Sequence, residues 1–222
     1  KASISPEDIL VALAAHRLRT TVQWKASRSE EFLSGQHGRA ARLQGQLAVD
    51  AQGHFLSLQA QLHYTLGAWL PYSALVPMRN AARILPGPYR VDRCDITGQS
   101  RRSHTAPVGI YRGAGRPEAA LLMETLIDQA ARLLGLDPVQ MRLRNLIDAS
   151  AMPYRTPTGE TLDSGDFPQL LTLACERFGY GHERSLQQQR RAQGEWVGLG
   201  VAMYVEPCGQ GWESARVTWH SD

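Results

Sequence analysis

The sequence predicts an α+β fold, a mixed sheet with helices packed on it, and three features predict it. Residues 43–49 and 55–66 alternate in polarity around an Asp50-Ala51-Gln52-Gly53 link, the pattern of a β-hairpin. Leu122, Leu126, Ala130 and Leu133 recur at helical spacing between Pro117 and Gly135. Hairpin and helix signals are mixed along the chain, without the regular strand–helix repeat of a doubly wound parallel sheet.

Taken in order, Ser5-Pro6-Glu7-Asp8 reads as a cap, a Pro in the first turn and acids at a helix start. Ile9, Leu10, Leu13, Ala14 and Arg17 extend it as a first helix of about three turns. Residues 20–24 are β-prone, and residues 27–32 suit a helical turn before Gly35. In the hairpin, Leu56, Leu58, Ala60, Leu62 and Tyr64 are expected to share a buried face. Residues 70–88, rich in Pro, Gly and small side chains, read as a long loop with one helical turn at most. Strand character resumes over 89–97, and a strand near 101–105 is expected to pair with it. After the 117–134 helix, Asp137-Pro138 caps another through about Asn145. Residues 152–166 read as a loop. Asp166 caps a helix through about Arg177 with Leu170, Leu171 and Ala174 on its apolar face, and a polar surface helix covers 182–193. Two last strands, 197–205 and 215–219, flank a Gly-rich turn at 207–211.

Composition narrows the function classes. At 222 residues and 43% hydrophobic content the chain can bury a core. Its formal charge of +3 comes from scattered basic residues, not from a stripe with interleaved aromatics, so nucleic-acid binding gains no support. Cys94, Cys175 and Cys208 are odd in number and far apart, which writes neither a disulfide framework nor a CxxC metal or iron–sulfur site. No apolar run reaches the roughly 18 residues that span a bilayer. A cytoplasmic protein is expected, or a periplasmic one if an export signal lies on a partner or in sequence outside these residues. Lys1 opens without an initiator Met, and the last alternating strand stops as it enters a turn. Both ends read as cut, so the chain is expected to be a piece of a longer polypeptide. It is read as one domain region, 1–222, with 193–222 alternatively opening a further subdomain.

The most unusual stretch runs from Tyr111 to Glu118. Its glycines permit positive φ and close approach to a ligand, and it hands over to a helix start, where unpaired N–H groups and partial positive charge favour an anion. Arg112 and Arg116 are unfavourably placed for helix support unless an acid such as Glu118 or a bound anion compensates. Residue chemistry leaves two readings open, a structural loop and an anion site. The glycine spacing fits neither a P-loop nor a dinucleotide fingerprint.

The string Ile110-Tyr111-Arg112-Gly113-Ala114-Gly115-Arg116-Pro117-Glu118-Ala119, followed by Glu124, Asp128, Ala131, Leu134-Gly135, Asp137-Pro138, Arg142 and Arg144-Asn145, closely resembles the molybdenum-binding large subunits of the xanthine dehydrogenase, aldehyde oxidase and isoquinoline oxidoreductase group. Upstream, Trp24, Arg28, Glu30 and Phe32 with His37-Gly38-Arg39 match the same family. Downstream, Pro153-Tyr154, Thr156, Gly159, Asp163 to Asp166, and Gly198 to Glu206 match it too.

That resemblance implies a molybdopterin enzyme hydroxylating an electron-poor carbon of an aldehyde, purine or N-heterocycle, with water as oxygen donor. Electrons leave through 2Fe-2S centres to FAD, carried on partner subunits or domains. It assigns Arg112, Gly113, Ala114 and Gly115 to the cofactor. Ala114 stands where some members carry an aromatic against the substrate, so the pocket is expected to be roomier. Arg79 and Gln210 are the remaining substrate candidates, while Glu206 reads as structural. Copper-containing carbon monoxide dehydrogenases place a Cys where this chain has Gly113, against that chemistry. The family's upstream Gly-rich cofactor loop and its catalytic glutamate lie outside these residues, so no acid here is assigned as general base and the chain alone is expected to be incomplete. Competing readings are a non-catalytic interaction domain of the same fold and a generic phosphate or nucleotide binder.

Overall fold

In the computed structural model, which describes residues 4–207 and 214–219, the hairpin forms the centre of the fold. Strands β1 (Ala41–Val49) and β2 (Phe55–Gly67) are antiparallel, and β3 (Arg93–Arg102) adds on the other side of β2 in parallel. The sheet is therefore mixed, as expected. A bulge changes its inner face. Ala48 pairs with Ser57 but Val49 with Phe55, so Leu56 is the extra residue. The side-chain alternation resets there. Phe55 turns inward at 5% exposure and Leu56 outward at 50%, correcting the expectation that Leu56 is buried with Leu58.

Leu58, Ala60, Leu62 and Tyr64 meet α4 (Arg116–Leu134) through Ala119, Leu122, Met123 and Ile127, all buried. Gly45 of β1 lets this helix lie close, since a Cβ there would stand 3.0 Å from Leu126 and 3.1 Å from Leu122. At the helix end Gly135 takes φ 66°, and the Leu136 N–H donates to the Ala131 carbonyl. Helix α3 (Val76–Ile84) packs beside α4, where the sequence reading placed a loop. The prolines misled it: Pro77 lies in the first turn, where its missing N–H costs nothing, and Pro77, Ala81 and Ile84 form a buried stripe at i, i+4 and i+7.

Helix α5 (Pro138–Asn145) is locked to α4 by a buried network. Arg142, 0% exposed, donates from Nε to Glu124 Oε2 at 2.8 Å and from Nη1 to the Pro138 carbonyl at 3.0 Å. Its Nη2 lies 2.9 Å from Asp128 Oδ1, a charge contact without hydrogen-bond alignment. The Tyr89 hydroxyl donates to Glu124 Oε1 at 2.6 Å. Burial pushes the Glu124 carboxyl up, while Arg142, the Tyr89 hydroxyl and the Met203 amide pull it back. Asn145 fastens α5 to the hairpin turn: its Oδ1 accepts from the Phe55 N–H at 2.8 Å and its Nδ2 donates to the Gly53 carbonyl at 2.7 Å. Glu124, Asp128, Arg142 and Asn145, which carried part of the family likeness, thus hold the fold together.

The remaining elements are α1 (Pro6–Leu18), α2 (Arg28–Ser34), a short pair β4 (Tyr154–Arg155) and β5 (Thr161–Leu162), α6 (Phe167–Phe178) and α7 (Tyr180–Ala192). Several expectations are corrected here. No residue of α1 is buried, so its apolar side chains reach solvent. Residues 20–24 form no strand. Strand β3 runs on through Arg102, and it pairs with β2 in place of a separate strand at 101–105. On α6 Leu171 is buried but Leu170 is exposed. Residues 197–205 alternate in burial yet enter no sheet, because no described strand lies alongside to take their backbone bonds, and 215–219 likewise form none. Most of the turn expected at 207–211 falls outside the described residues.

Candidate functional site

The Tyr111 to Glu118 loop starts from the end of β2. The Val108 N–H donates to the Leu66 carbonyl at 3.0 Å, and residues 107–109 also pair with His37 on their other side. Gly67 makes this approach possible, since a Cβ there would run into the Ala106 carbonyl. The chain then turns tightly: the Ala114 N–H donates to the Tyr111 carbonyl at 2.8 Å and the Arg116 N–H to the Gly113 carbonyl at 3.0 Å.

Three consecutive residues take positive φ, Gly113 at 94°, Ala114 at 27° and Gly115 at 88°. Ala114 is there against its own steric preference. Gly115 is required, because its Cα lies on α3 and a Cβ would collide with the Pro77 carbonyl oxygen. Helix α3, missed in the sequence, is therefore the seat of the loop.

The loop is at the surface. Tyr111 and Arg112 are exposed, and Gly113 and Ala114 half-buried. Among the described residues the N–H groups of Arg112, Gly113 and Gly115 have no partner, nor has the Arg112 guanidinium. Such a turn, with unpaired donors and a free cation beside a helix start, fits a ligand rich in acceptor oxygens and negative charge. Charge compensation differs from the expectation. Glu118, 7% exposed, pairs not with Arg112 or Arg116 but with Arg39 at 3.0 Å, and Arg116 pairs with Glu206 at 3.1 Å. Burial first, then the Glu118 charge, raises the Tyr64 hydroxyl above its ordinary value; among the described residues this buried oxygen has no hydrogen-bond partner.

The structure thus brings Arg112, Gly113, Ala114 and Gly115 together. Arg79 sits exposed on α3 with no ion pair among the described residues, and nothing joins it to the loop. Gln210 and Cys208 lie outside the described residues. In the sequence Arg39 is part of the His37-Gly38-Arg39 motif, and nothing in its spacing distinguishes it from other arginines. Among the described residues no group of three or more His, Cys, Asp or Glu could hold a metal ion, and no helix is long and apolar enough to cross a membrane. A groove of about 460 Å³ runs along α4, lined by Arg116, Pro117, Leu121, Asp128, Val201 and Tyr204.

The sequence profile of the molybdopterin cofactor-binding domain matches residues 1–146. The chain belongs to this family. It is related to the large subunits of xanthine dehydrogenases, aldehyde oxidases and carbon monoxide dehydrogenases. The 6-hydroxypseudooxynicotine dehydrogenase complex subunit gamma of Paenarthrobacter nicotinovorans is 30% identical over 217 residues, covering 95% of this chain and 27% of that protein. The nicotine 6-hydroxylase large subunit of the same organism is 28% identical over 213 residues, covering 95% and 26%. Quinoline 2-oxidoreductase from Pseudomonas putida 86 superposes with a TM-score of 0.86 at 33% identity, over 92% of this chain and 26% of that one. The chain spans about a quarter of the length of these relatives.

Proposed function

We propose that this chain supplies the cofactor-facing turn of a molybdenum hydroxylase large subunit, and that the whole protein hydroxylates an N-heteroaromatic ring, using water as the oxygen donor. The observation that carries this is the 112–116 turn, in which three left-handed residues are seated on α3 and the Arg112 and Gly113 N–H groups, unpaired among the described residues, lie at the surface. What the bound molybdopterin supplies is oxygen transfer from water and a two-electron sink, discharged through 2Fe-2S and FAD partners. The residues of this chain bind and orient. The amides of Arg112 and Gly113 offer hydrogen bonds to the cofactor's acceptors, and the Arg112 guanidinium offsets its negative charge. Ala114, the smallest side chain with a Cβ, leaves width beside the turn for a flat ring.

N-heterocycles are preferred over aldehydes and purines because the nicotine and quinoline relatives are 28% and 33% identical to this chain, against 26% for a xanthine dehydrogenase subunit and 22% for an aldehyde oxidoreductase. Gly113, where copper-containing carbon monoxide dehydrogenases carry Cys, stands against carbon monoxide as substrate. Residues 193–222 are read as the opening of a further subdomain, since 197–205 alternate in burial without a strand partner. A cytoplasmic location of the intact protein, together with its redox partners, is part of this proposal.

The test is purification of the full-length protein from a host that makes molybdopterin. Stoichiometric molybdenum and pterin, with oxidation of quinoline or nicotine at the expense of an artificial electron acceptor, are expected. A folded full-length protein lacking both molybdenum and pterin would refute the reading.

A further inference from the structure

We propose that Arg39 is the positioning residue of the 112–116 turn: one guanidinium ties the two ends of the turn together and so aims its amides outward, without itself touching the ligand. The inference rests on the cofactor reading above. Arg39 lies just before β1 with φ 58°, itself in the left-handed region. Its Nη2 donates to the Arg112 carbonyl at 2.8 Å, and its Nη1 donates to Glu118 Oε2 at 3.0 Å. One acceptor belongs to the first residue of the turn and the other lies two residues beyond its last. The guanidinium also stacks on the Tyr111 ring, 4.9 Å from the centroid. Gly38 leaves room for that ring, since a Cβ there would stand 2.9 Å from Tyr111 Cβ.

A trans peptide gives the arrangement its consequence. The 112–113 bond is trans, so the Arg112 C=O and the Gly113 N–H point in opposite directions. Holding the carbonyl against Arg39 turns the Gly113 N–H away from it, and this N–H has no partner among the described residues. Lysine cannot replace the arrangement, because a single ammonium lacks the planar fork that reaches a carbonyl and a carboxylate while stacking on a ring. The Glu118 side chain is 8% exposed and that of Arg39 35%, so the anchor is the buried carboxylate and the arginine bridges it to the surface turn.

The experiment compares Arg39→Ala and Arg39→Lys with wild type in the full-length protein. Hydrogen exchange of the 112–116 amides is measured on cofactor-free protein, and the rate of pterin release on loaded protein. Exchange of the Ala114 and Arg116 amides, the two in the turn that carry hydrogen bonds, should rise about tenfold or more in Arg39→Ala, with the hairpin amides unchanged. Pterin release should accelerate severalfold, and Arg39→Lys should recover less than half of either effect. Should Arg39→Ala fail to fold, the same loss in Arg39→Lys with an unchanged hairpin carries the proposal. Wild-type exchange at 112–116 in both variants, equal loosening of turn and hairpin, or a loosened turn with unaltered pterin release would each overturn it. Failure of the cofactor reading looks different: wild type itself would hold no pterin, while the exchange measurement would still report on the turn.

Discussion

Replacing Arg142 with Ala tests whether the α4–α5 network holds the fold. The substitution leaves Glu124, 7% exposed, without its counter-charge, and leaves Asp128 facing the same gap. Removing one partner of a buried pair costs about 3–5 kcal/mol. The Tyr89 hydroxyl and the Met203 amide still serve Glu124, which favours the lower half of that range. For a chain of this size each kcal/mol lowers the midpoint by roughly 2–4 °C, so Arg142→Ala should melt roughly 6–16 °C below wild type. Circular dichroism of heat and urea unfolding reads this directly. Arg142→Ala combined with Glu124→Leu should recover a large part of the loss, since it removes the stranded carboxylate together with the arginine. A cost below about 1 kcal/mol for the single change, or a double mutant as unstable as the two singles summed, would refute the assignment of stability to this pair.

Three further outcomes are expected. Arg112→Ala should leave the stability near wild type, within roughly 0.5 kcal/mol, because its guanidinium has no partner among the described residues, while molybdenum and pterin content of the full-length protein falls; equal losses of both would make it a structural arginine. Phe55→Ala should cost about 3–5 kcal/mol in urea unfolding and Leu56→Ala under about 1, the reverse of what unbroken alternation predicts; similar costs would remove the bulge argument. Acid should loosen local caps. Hydrogen bonds from the Ser27 N–H and hydroxyl hold Glu30 below the usual carboxylate range, those from His54 do so for Asp50, and those from Ser150 for Asp148. Their folded values are depressed, so their contribution is present above the ordinary carboxylate range and lost as pH falls through the lowered values. Amide exchange at the start of α2 and at the β1–β2 turn should rise there while core amides stay protected; unchanged protection down to about pH 2 would contradict it.

The sequence by itself determined what depends on neighbours a few residues apart. Ser5 and Pro6 start α1, Ser27 caps α2, Asp137 caps α5 and Asp166 caps α6, because a cap needs only its own side chain and an amide two or three residues on. Hairpin alternation and the α4 stripe at Leu122, Leu126 and Ala130 were legible for the same reason, though Leu133, expected to continue the stripe, is exposed, and the string from Ile110 to Asn145 carried the family likeness. Tertiary structure decided what depends on residues far apart in the chain. Pro77, a loop signal taken alone, begins a helix because α4 covers its buried stripe and Gly115 rests on its carbonyl. Leu56 faces solvent because one extra residue between paired strands inverts the pattern beyond it. Arg39 and Arg142 look alike as residues. Only packing makes one a bridge across the surface turn and the other the centre of a buried network, since a guanidinium's role is set by which acceptors the folded chain brings within 3 Å of it.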